Sequence, residues 1–223
     1  PNPTSKSDQT QSRNMTLLAH HELGGFGGLG EGISLQIAND GRRILWVAHE
    51  SAPKNFSALD VTDPKNPKLI VQTDLPHMQV RSNSLDVYGN ILAVAYQTQV
   101  VGLKPAGVDL FDISIPEEPK LLSHFDCSGP HSRGVHALWF VDGKYIHMSS
   151  GSADFEPTHP LDDQFYRILD VRDPKNPVEA GRWWYPGTRK GDSSPPPPRM
   201  PKLDTGYRVH NSNVFPREPN RAY

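Results

Sequence analysis

The stretch ALDVTDPKNPKLIV, residues 58–71, occurs in two further versions along the chain. The second is DLFDISIPEEPKLL, residues 109–122, and the third is ILDVRDPKNPV, residues 168–178. In each version an alternation of apolar and polar residues leads into a turn between two prolines, after which an apolar stretch begins. Proline fixes φ and has no N–H to donate, so the residues between the prolines reverse the chain. Each version therefore predicts an antiparallel hairpin.

Three aspartates, Asp60, Asp112 and Asp170, mark the same position in the three versions. They are about 52 and 58 residues apart, a period typical of a propeller in which each repeat forms one four-stranded antiparallel blade. The predicted fold is therefore an all-β propeller over residues 15–223, after a disordered, polar leader at 1–14. The predicted blades cover about 31–74, 81–126 and 133–185, and a fourth begins within 206–223.

The segment Thr16–Glu22 is similar to Lys120–Asp126, the outermost strand of the second predicted blade. An outer strand without preceding strands of its own joins a blade whose other strands come from elsewhere. We therefore predict an incomplete propeller of three blades plus parts of two, with this N-terminal segment as the closing outer strand. The remaining half is expected from a continuation of the chain or from a second chain, because an open blade face leaves unpaired edges and apolar surface.

The phrase Leu59-Asp60-Val61, together with its proline turn, resembles the LVIVD-repeat proteins, a group of β-propellers. The resemblance covers roughly residues 16–223. It implies the propeller architecture and a binding or interaction module, and it says little about chemistry because that family is mostly of unassigned function.

The composition of the chain argues against several classes of function and of site. The net charge is −2, with 23 basic and 25 acidic residues spread along the chain, which gives no electrostatic footprint for nucleic acid. No apolar run approaches the roughly 18 residues that a membrane span needs. Cys127 is the only cysteine, which excludes an internal disulfide and a multi-cysteine zinc site. A soluble protein is expected, in the cytoplasm or, after processing, outside it.

The predicted blade topology places a candidate site at one mouth of the central channel. The innermost strand of each blade lines the channel, and the loops on one face carry ligand sites in scaffolds of this kind. Arginine binds carboxylate, phosphate or sulfate through its planar fork, and histidine titrates near neutrality or ligates metal. We expect this pocket to bind a small anionic ligand or a partner peptide. Its predicted ligand-binding residues are Glu31, Arg81, Asn83, Arg133, His136, Arg208 and His210.

Two further interpretations of the same residues stay open at the level of sequence. In one, the charged residues only pair with each other and with loop carbonyls. In the other, the protein is an enzyme of the hydrolase, lyase or isomerase class, with His136 or His210 as general base or metal ligand. No cofactor is required by the sequence, but a divalent metal fits this interpretation. Its candidate ligands are His49, His77, His131, His136 and His210.

The segment Gly25–Gly30 matches the dinucleotide-binding pattern G-x-G-x-x-G, but the alternating stretch Ile33–Ile37 that follows predicts a strand. The pattern needs a helix at that point and a βαβ unit around it. The glycines therefore indicate a tight or mobile loop at the channel mouth, where backbone can approach closely.

Overall fold

The computed structural model describes residues 14–215 and 217–222, so the predicted leader lies almost wholly outside the described residues. The described part is all-β and its main sheet is curled, which confirms the all-β part of the predicted fold. The helical content consists of two single 3-10 turns at Leu23–Gly25 and Pro160–Asp162. No helix among the described residues is long and apolar enough to cross a bilayer.

Three antiparallel meanders of four strands each follow one another along the chain. The first meander consists of β1 (Leu29–Ile37), β2 (Arg43–His49), β3 (Lys54–Asp60) and β4 (Lys68–Asp74). The second consists of β5 (Val80–Tyr88), β6 (Ile91–Thr98), β7 (Gly107–Asp112) and β8 (Lys120–Asp126). The third consists of β11 (Val135–Trp139), β12 (Tyr145–Ser150), β13 (Phe165–Asp170) and β14 (Val178–Trp183).

Two small hairpins complete the described structure. Between the second and third meanders, β9 (Ser128–Gly129) pairs with β10 (Ser132–Arg133). Near the end of the chain, β15 (Val214–Phe215) pairs with β16 (Glu218–Ala222). The segment predicted to begin a fourth unit thus forms a short hairpin, and the residues from 206 to 213 run alongside the third meander without joining a strand.

The aspartate that marks each repeat closes the chain reversal after the third strand. The Asp60 carboxylate accepts the backbone N–H of Thr62 at 2.9 Å, and Asp112 and Asp170 accept the N–H two residues further on at 2.8 and 3.0 Å. A short acidic side chain bonded to the second following N–H is an Asx turn, which competes with continued strand pairing. The repeated aspartate therefore ends the strand in the same way three times.

A second local contact explains the DPKNP sequence of the first and third repeats. The amide of Asn66 donates to the carboxylate of Asp63 at 2.6 Å, and Asn176 does so to Asp173 at 2.8 Å. The backbone N–H of each asparagine also donates to the carbonyl of the same aspartate, at 3.0 and 3.1 Å. The turn is therefore held by residues three apart in sequence, which is why the repeat is visible in the sequence itself.

The meanders bury their apolar faces against each other. One cluster joins the first and second meanders around Trp46, Phe56 and Leu85, and a second joins the second and third around Phe140 and Met148. Each of these side chains is 3% exposed or less. Stability therefore comes from contacts between neighbouring units, as expected for a repeat architecture.

The predicted closing strand at Thr16–Glu22 is not formed in this structure. The segment has no regular pairing, and Leu17 and Leu18 are more than half exposed. A strand requires a hydrogen-bonded neighbour, and the described residues place none beside this segment. The chain instead contributes Leu23, which packs on Val47 and Leu59 on the outer face of the first meander.

Candidate metal centre

Three candidate site residues meet near the starts of β1 and β11. Glu31 lies on β1, His136 on β11, and His210 in the segment after the third meander. One ligand atom of each, a carboxylate oxygen and two ring nitrogens, lies within 4.8 Å of the other two. The structure thus brings together residues separated by up to 179 positions in the sequence.

Two glycines place Glu31 at this position. A Cβ on Gly32 would lie 2.1 Å from the backbone nitrogen of Leu85, and one on Gly30 would lie 2.4 Å from the carbonyl oxygen of Asn83. Neither distance is compatible with a side chain. Because both positions are glycine, β1 can approach β5 closely. Glu31 lies between the two glycines on β1.

The tautomer of His136 follows from its neighbours. The side-chain oxygen of Gln97 accepts hydrogen bonds from Nε and from one terminal nitrogen of Arg81, at 3.1 and 2.7 Å. Because arginine only donates, these two bonds fix the orientation of the Gln97 amide. The same oxygen lies 3.1 Å from Nδ1 of His136, so Nδ1 carries the proton and donates to it. The lone pair of His136 is therefore on Nε2, which faces the group.

His210 is oriented in the same way. Its Nδ1 lies 2.8 Å from the side-chain oxygen of Asn211, an acceptor that favours the tautomer with the lone pair on Nε2. The hydroxyl of Ser149 donates to the His210 carbonyl at 2.7 Å and ties this segment to β12. The Nε2 atoms of His136 and His210 lie 3.0 Å apart. The Nε2 atoms of two imidazoles thus face the same point.

The electrostatic environment keeps His136 in the form that binds a cation. Burial, followed by the neighbouring His210, lowers the pKa of His136 to about 4, and the Arg81 and Arg208 guanidinium groups act in the same direction. The Glu31 carboxylate opposes this shift. At neutral pH the imidazole of His136 is uncharged, which is the state that ligates metal.

The ligand atoms fit a divalent transition-metal ion. Two histidine nitrogens bound to one tetrahedral ion at about 2.0–2.1 Å lie about 3.3 Å apart, close to the 3.0 Å between Nε2 of His136 and Nε2 of His210. Both Nδ1 atoms are bonded to amide oxygens, the outer contact typical of ligating histidines. Among the described residues Glu31 forms no ion pair, so its carboxylate is available as the third ligand.

The three predicted arginines lie near this group, but each is already paired. Arg81 forms an ion pair with Glu50. Arg133 and Arg208 share the carboxylate of Asp163, at 2.8 and 3.4 Å. The arginines therefore do not form the open anion pocket that sequence predicts, because acidic loop residues neutralise them.

The remaining candidates are placed elsewhere. His49 is buried, and its Nε2 lies 2.8 Å from the Ser57 hydroxyl. Both ring nitrogens of His77 are hydrogen-bonded to backbone groups outside the site. His131 lies 3.6 Å from the Glu156 carboxylate. The group of Glu31, His136 and His210 includes none of the three.

Asn83, predicted to bind ligand, is 1% exposed, and its backbone packs on Gly30. Its side-chain amide has no hydrogen-bond partner among the described residues. Asn83 therefore lies in the wall behind the site rather than on its surface.

Sequence reasoning missed the residues that orient the site, namely Glu50, Gln97, Asp163 and Asn211. Three of them stand at the edges of loops that the predicted topology places at this mouth, and Asn211 directly follows His210. The sequence signal for such residues is an acidic or amide side chain at a loop edge, close to a predicted arginine or histidine. Such a signal is weak, because polar residues are common in loops.

A cavity of about 390 Å³ adjoins the group on the channel side. Glu31 belongs both to the group and to the cavity lining. Ala137, which follows His136, and Asn211, which follows His210, also line the cavity. The ligand atoms therefore stand at the entrance to a space of the size that small-molecule sites occupy.

No protein-family model matches the chain, and no curated protein sequence matches it. Among solved structures, the chain is similar to a protein from Lactobacillus plantarum whose crystal structure is known, with 11% sequence identity and a TM-score of 0.46. The alignment covers 67% of this chain and 40% of that protein, so the chain spans less than half of its length.

Proposed function

We propose that the protein is a β-propeller of the LVIVD-repeat type that binds a divalent transition-metal ion at its channel mouth and uses it to hold a small anionic ligand. Glu31, His136 and His210 supply the three ligands. The single observation that carries the proposal is the convergence of two imidazole Nε2 lone pairs and one unpaired carboxylate within 4.8 Å. Two lone pairs 3.0 Å apart repel each other unless a cation or a shared proton lies between them.

The formal charges around the group balance. Three arginines face two acids, Glu50 and Asp163, and Glu31 supplies the third negative charge. A divalent ion bound to the group adds two positive charges and creates the positive centre to which an anionic ligand binds. Arg81, whose side chain is 29% exposed, stands beside that centre.

The first expected result concerns metal binding. Protein treated with a chelator and then titrated with Zn²⁺ should bind one equivalent by calorimetry, and Co²⁺ should report the same site by its visible absorption. Glu31→Gln, His136→Ala and His210→Ala each remove a direct ligand. We expect each variant to lose more affinity than the roughly 10- to 100-fold that removal of an outer-shell partner costs.

His131→Ala is the matched control, because it removes a partly exposed histidine that also lies near a carboxylate but outside the group. Its affinity for Zn²⁺ should equal that of the unaltered protein. Equal affinities in the control and in all three ligand variants would contradict the proposed site.

A metal-dependent hydrolase is the second candidate function. Three protein ligands leave at least one coordination position open, which is typical of catalytic rather than structural zinc sites. The reconstituted protein should then hydrolyse an activated ester, and His210→Ala should not. The absence of any metal-dependent turnover on carboxylic and phosphoric esters would favour the binding function.

The propeller assignment is supported by one exposed face. Ile33, Leu35 and Ile37 on β1 are 58, 52 and 63% exposed. On the second meander Leu85 holds the equivalent position, since it lies four residues after Arg81 as Leu35 lies four after Glu31. Leu85 is only 3% exposed because the first meander covers it. We propose that another four-stranded unit of the same kind covers the exposed face of β1.

We expect this chain, isolated with these residues, to self-associate. Light scattering should give a mass above that of the 24.8 kDa monomer, since an uncovered apolar sheet face promotes association. Leu35→Glu with Ile37→Glu should shift the material toward monomer, and Val178→Glu, an exposed valine on the third meander, serves as the comparison. A stable, non-aggregating monomer with the native β1 would overturn the proposed contact.

A further inference from the structure

The cavity behind the metal group has walls of two kinds. Most of its lining is apolar, from Leu85 and Val87 on β5, from Leu138 on β11, and from Phe140 and Val141 just after β11. Trp139 belongs to the same wall, and its indole N–H already donates to the Val214 carbonyl at 2.7 Å. Its polar atom is therefore engaged elsewhere, and the cavity offers mainly hydrocarbon and aromatic surface.

The only ionisable carboxyl groups in the lining are Glu31, at the entrance, and Asp86. Asp86 accepts the Ser34 hydroxyl at 2.8 Å and the Phe140 N–H at 2.9 Å. Burial raises the pKa of Asp86, so the interior disfavours additional negative charge. No lysine or arginine lines the cavity among the described residues. A ligand inside it is therefore uncharged in the part that lies beyond the entrance.

The entrance has the opposite character. Arg81 uses Nε and one N–H of each terminal nitrogen for Gln97 and Glu50, and a guanidinium has five N–H groups. Two donors remain, and one terminal nitrogen lies 3.5 Å from Nδ1 of His136, on the side of the ring away from Nε2. A metal ion on Nε2 would supply the positive centre at the entrance, which suits a carboxylate, and Arg81 adds positive charge behind the ring.

We propose that the natural ligand class of this site is a small carboxylate with an uncharged, mainly apolar body. The carboxylate binds the metal ion at the entrance, and the body lies in the cavity between the inner strands. This inference rests on the proposed metal site and adds the identity of what the site holds. The cavity of about 390 Å³ lies in the range of small-ligand sites, about 300–1,000 Å³.

The test uses the Zn²⁺-loaded protein and straight-chain probes measured by calorimetry. Affinity should rise by about fourfold for each methylene from acetate to hexanoate, because each added CH2 is removed from water. Hexanol and hexylamine, which have the same body without the carboxylate, should bind at least about tenfold more weakly than hexanoate, because charge-assisted bonds to the head are missing.

Two substitutions of valine by phenylalanine distinguish binding of the carboxylate from binding of the apolar body. Val141→Phe fills part of the cavity at a position five residues beyond His136. It should abolish the increase in affinity from acetate to hexanoate and leave acetate and Zn²⁺ binding unchanged. Val178→Phe, on an exposed position outside the cavity, should change neither. Circular dichroism checks that both variants keep the fold.

The outcomes distinguish this inference from the proposed function. Stoichiometric Zn²⁺ with affinities that do not depend on chain length, or that Val141→Phe does not alter, would overturn the apolar-carboxylate inference and leave the metal site standing. Equal binding of hexanol and hexanoate would also overturn it. Failure to bind Zn²⁺ at all would remove the metal site and this inference together.

Discussion

Gly32→Ala is expected to lower the free energy of unfolding by about 3 kcal/mol, the upper end of the usual cost of overpacking a well-packed contact. The added Cβ would stand 2.1 Å from the Leu85 nitrogen, a backbone atom that cannot rotate away. Relief requires β1 and β5 to separate. Because Glu31 is the neighbouring residue, this separation should also weaken Zn²⁺ binding.

Gly28→Ala is the matched control, since a Cβ at Gly28 meets no atom within 4 Å. Urea unfolding and Zn²⁺ calorimetry on both variants measure the two effects side by side. If Gly32→Ala were as stable as Gly28→Ala and bound Zn²⁺ equally well, the close approach of β1 to β5 would not be what positions Glu31.

Glu179→Ala is expected to destabilise the third meander by about 3–5 kcal/mol, the cost of leaving a buried charge without its partner. The side chain of Arg167 is only 5% exposed and forms an ion pair with Glu179. The guanidinium also donates to the Gly151 carbonyl at 3.0 Å and lies over the Phe125 ring. It cannot reach water without disrupting these contacts.

The pH dependence of this effect has a defined sign. Burial acts to raise the pKa of Glu179, but Arg182 and Arg167 outweigh it and hold the pKa below its usual value. A lowered folded-state pKa means that the stabilisation is present above the unfolded-state pKa of about 4.3. It is lost as the pH falls through the lower folded-state pKa.

Chemical unfolding at pH 7 and at progressively lower pH measures this prediction. The difference between the unaltered protein and Glu179→Ala should be largest at pH 7 and should shrink in acid. Glu118→Ala, which removes an exposed glutamate from a turn, should cost little at any pH. A difference that stays constant from pH 7 down into acid would exclude the ion pair as its source.

The sequence by itself predicts much of the local structure. The three-fold repeat indicates antiparallel strands and turns, and the Asp60 and Asp63 contacts show why, since both are made within three residues. The glycine-rich segment before Ile33 was also correctly separated from a dinucleotide-binding loop. The strand predicted at Thr16–Glu22 is not formed here, and it stays a prediction because its partner strands were expected from outside these residues.

The candidate site was predicted only as a neighbourhood. Alignment of the inner strands predicts Glu31, His136 and His210 near one mouth, and the structure brings their ligand atoms within 4.8 Å. The same reasoning predicted open arginines, yet Asp163 pairs with two of them from a loop some 30 to 45 positions away. It also gave no reason to separate His49 and His77 from the group.

Strand periodicity and turns were determined by the sequence alone, because the hydrogen bonds and φ restrictions that produce them act between residues a few positions apart. The protonated nitrogen of His136, the ion pairs of the arginines and the position of Glu31 beside His136 and His210 were decided only by the tertiary structure. These features depend on side-chain distances across different meanders, such as the 3.0 Å between rings 74 positions apart. Such distances are set by how closely whole sheets pack, as at Gly32 against Leu85, and that packing is a property of the assembled chain.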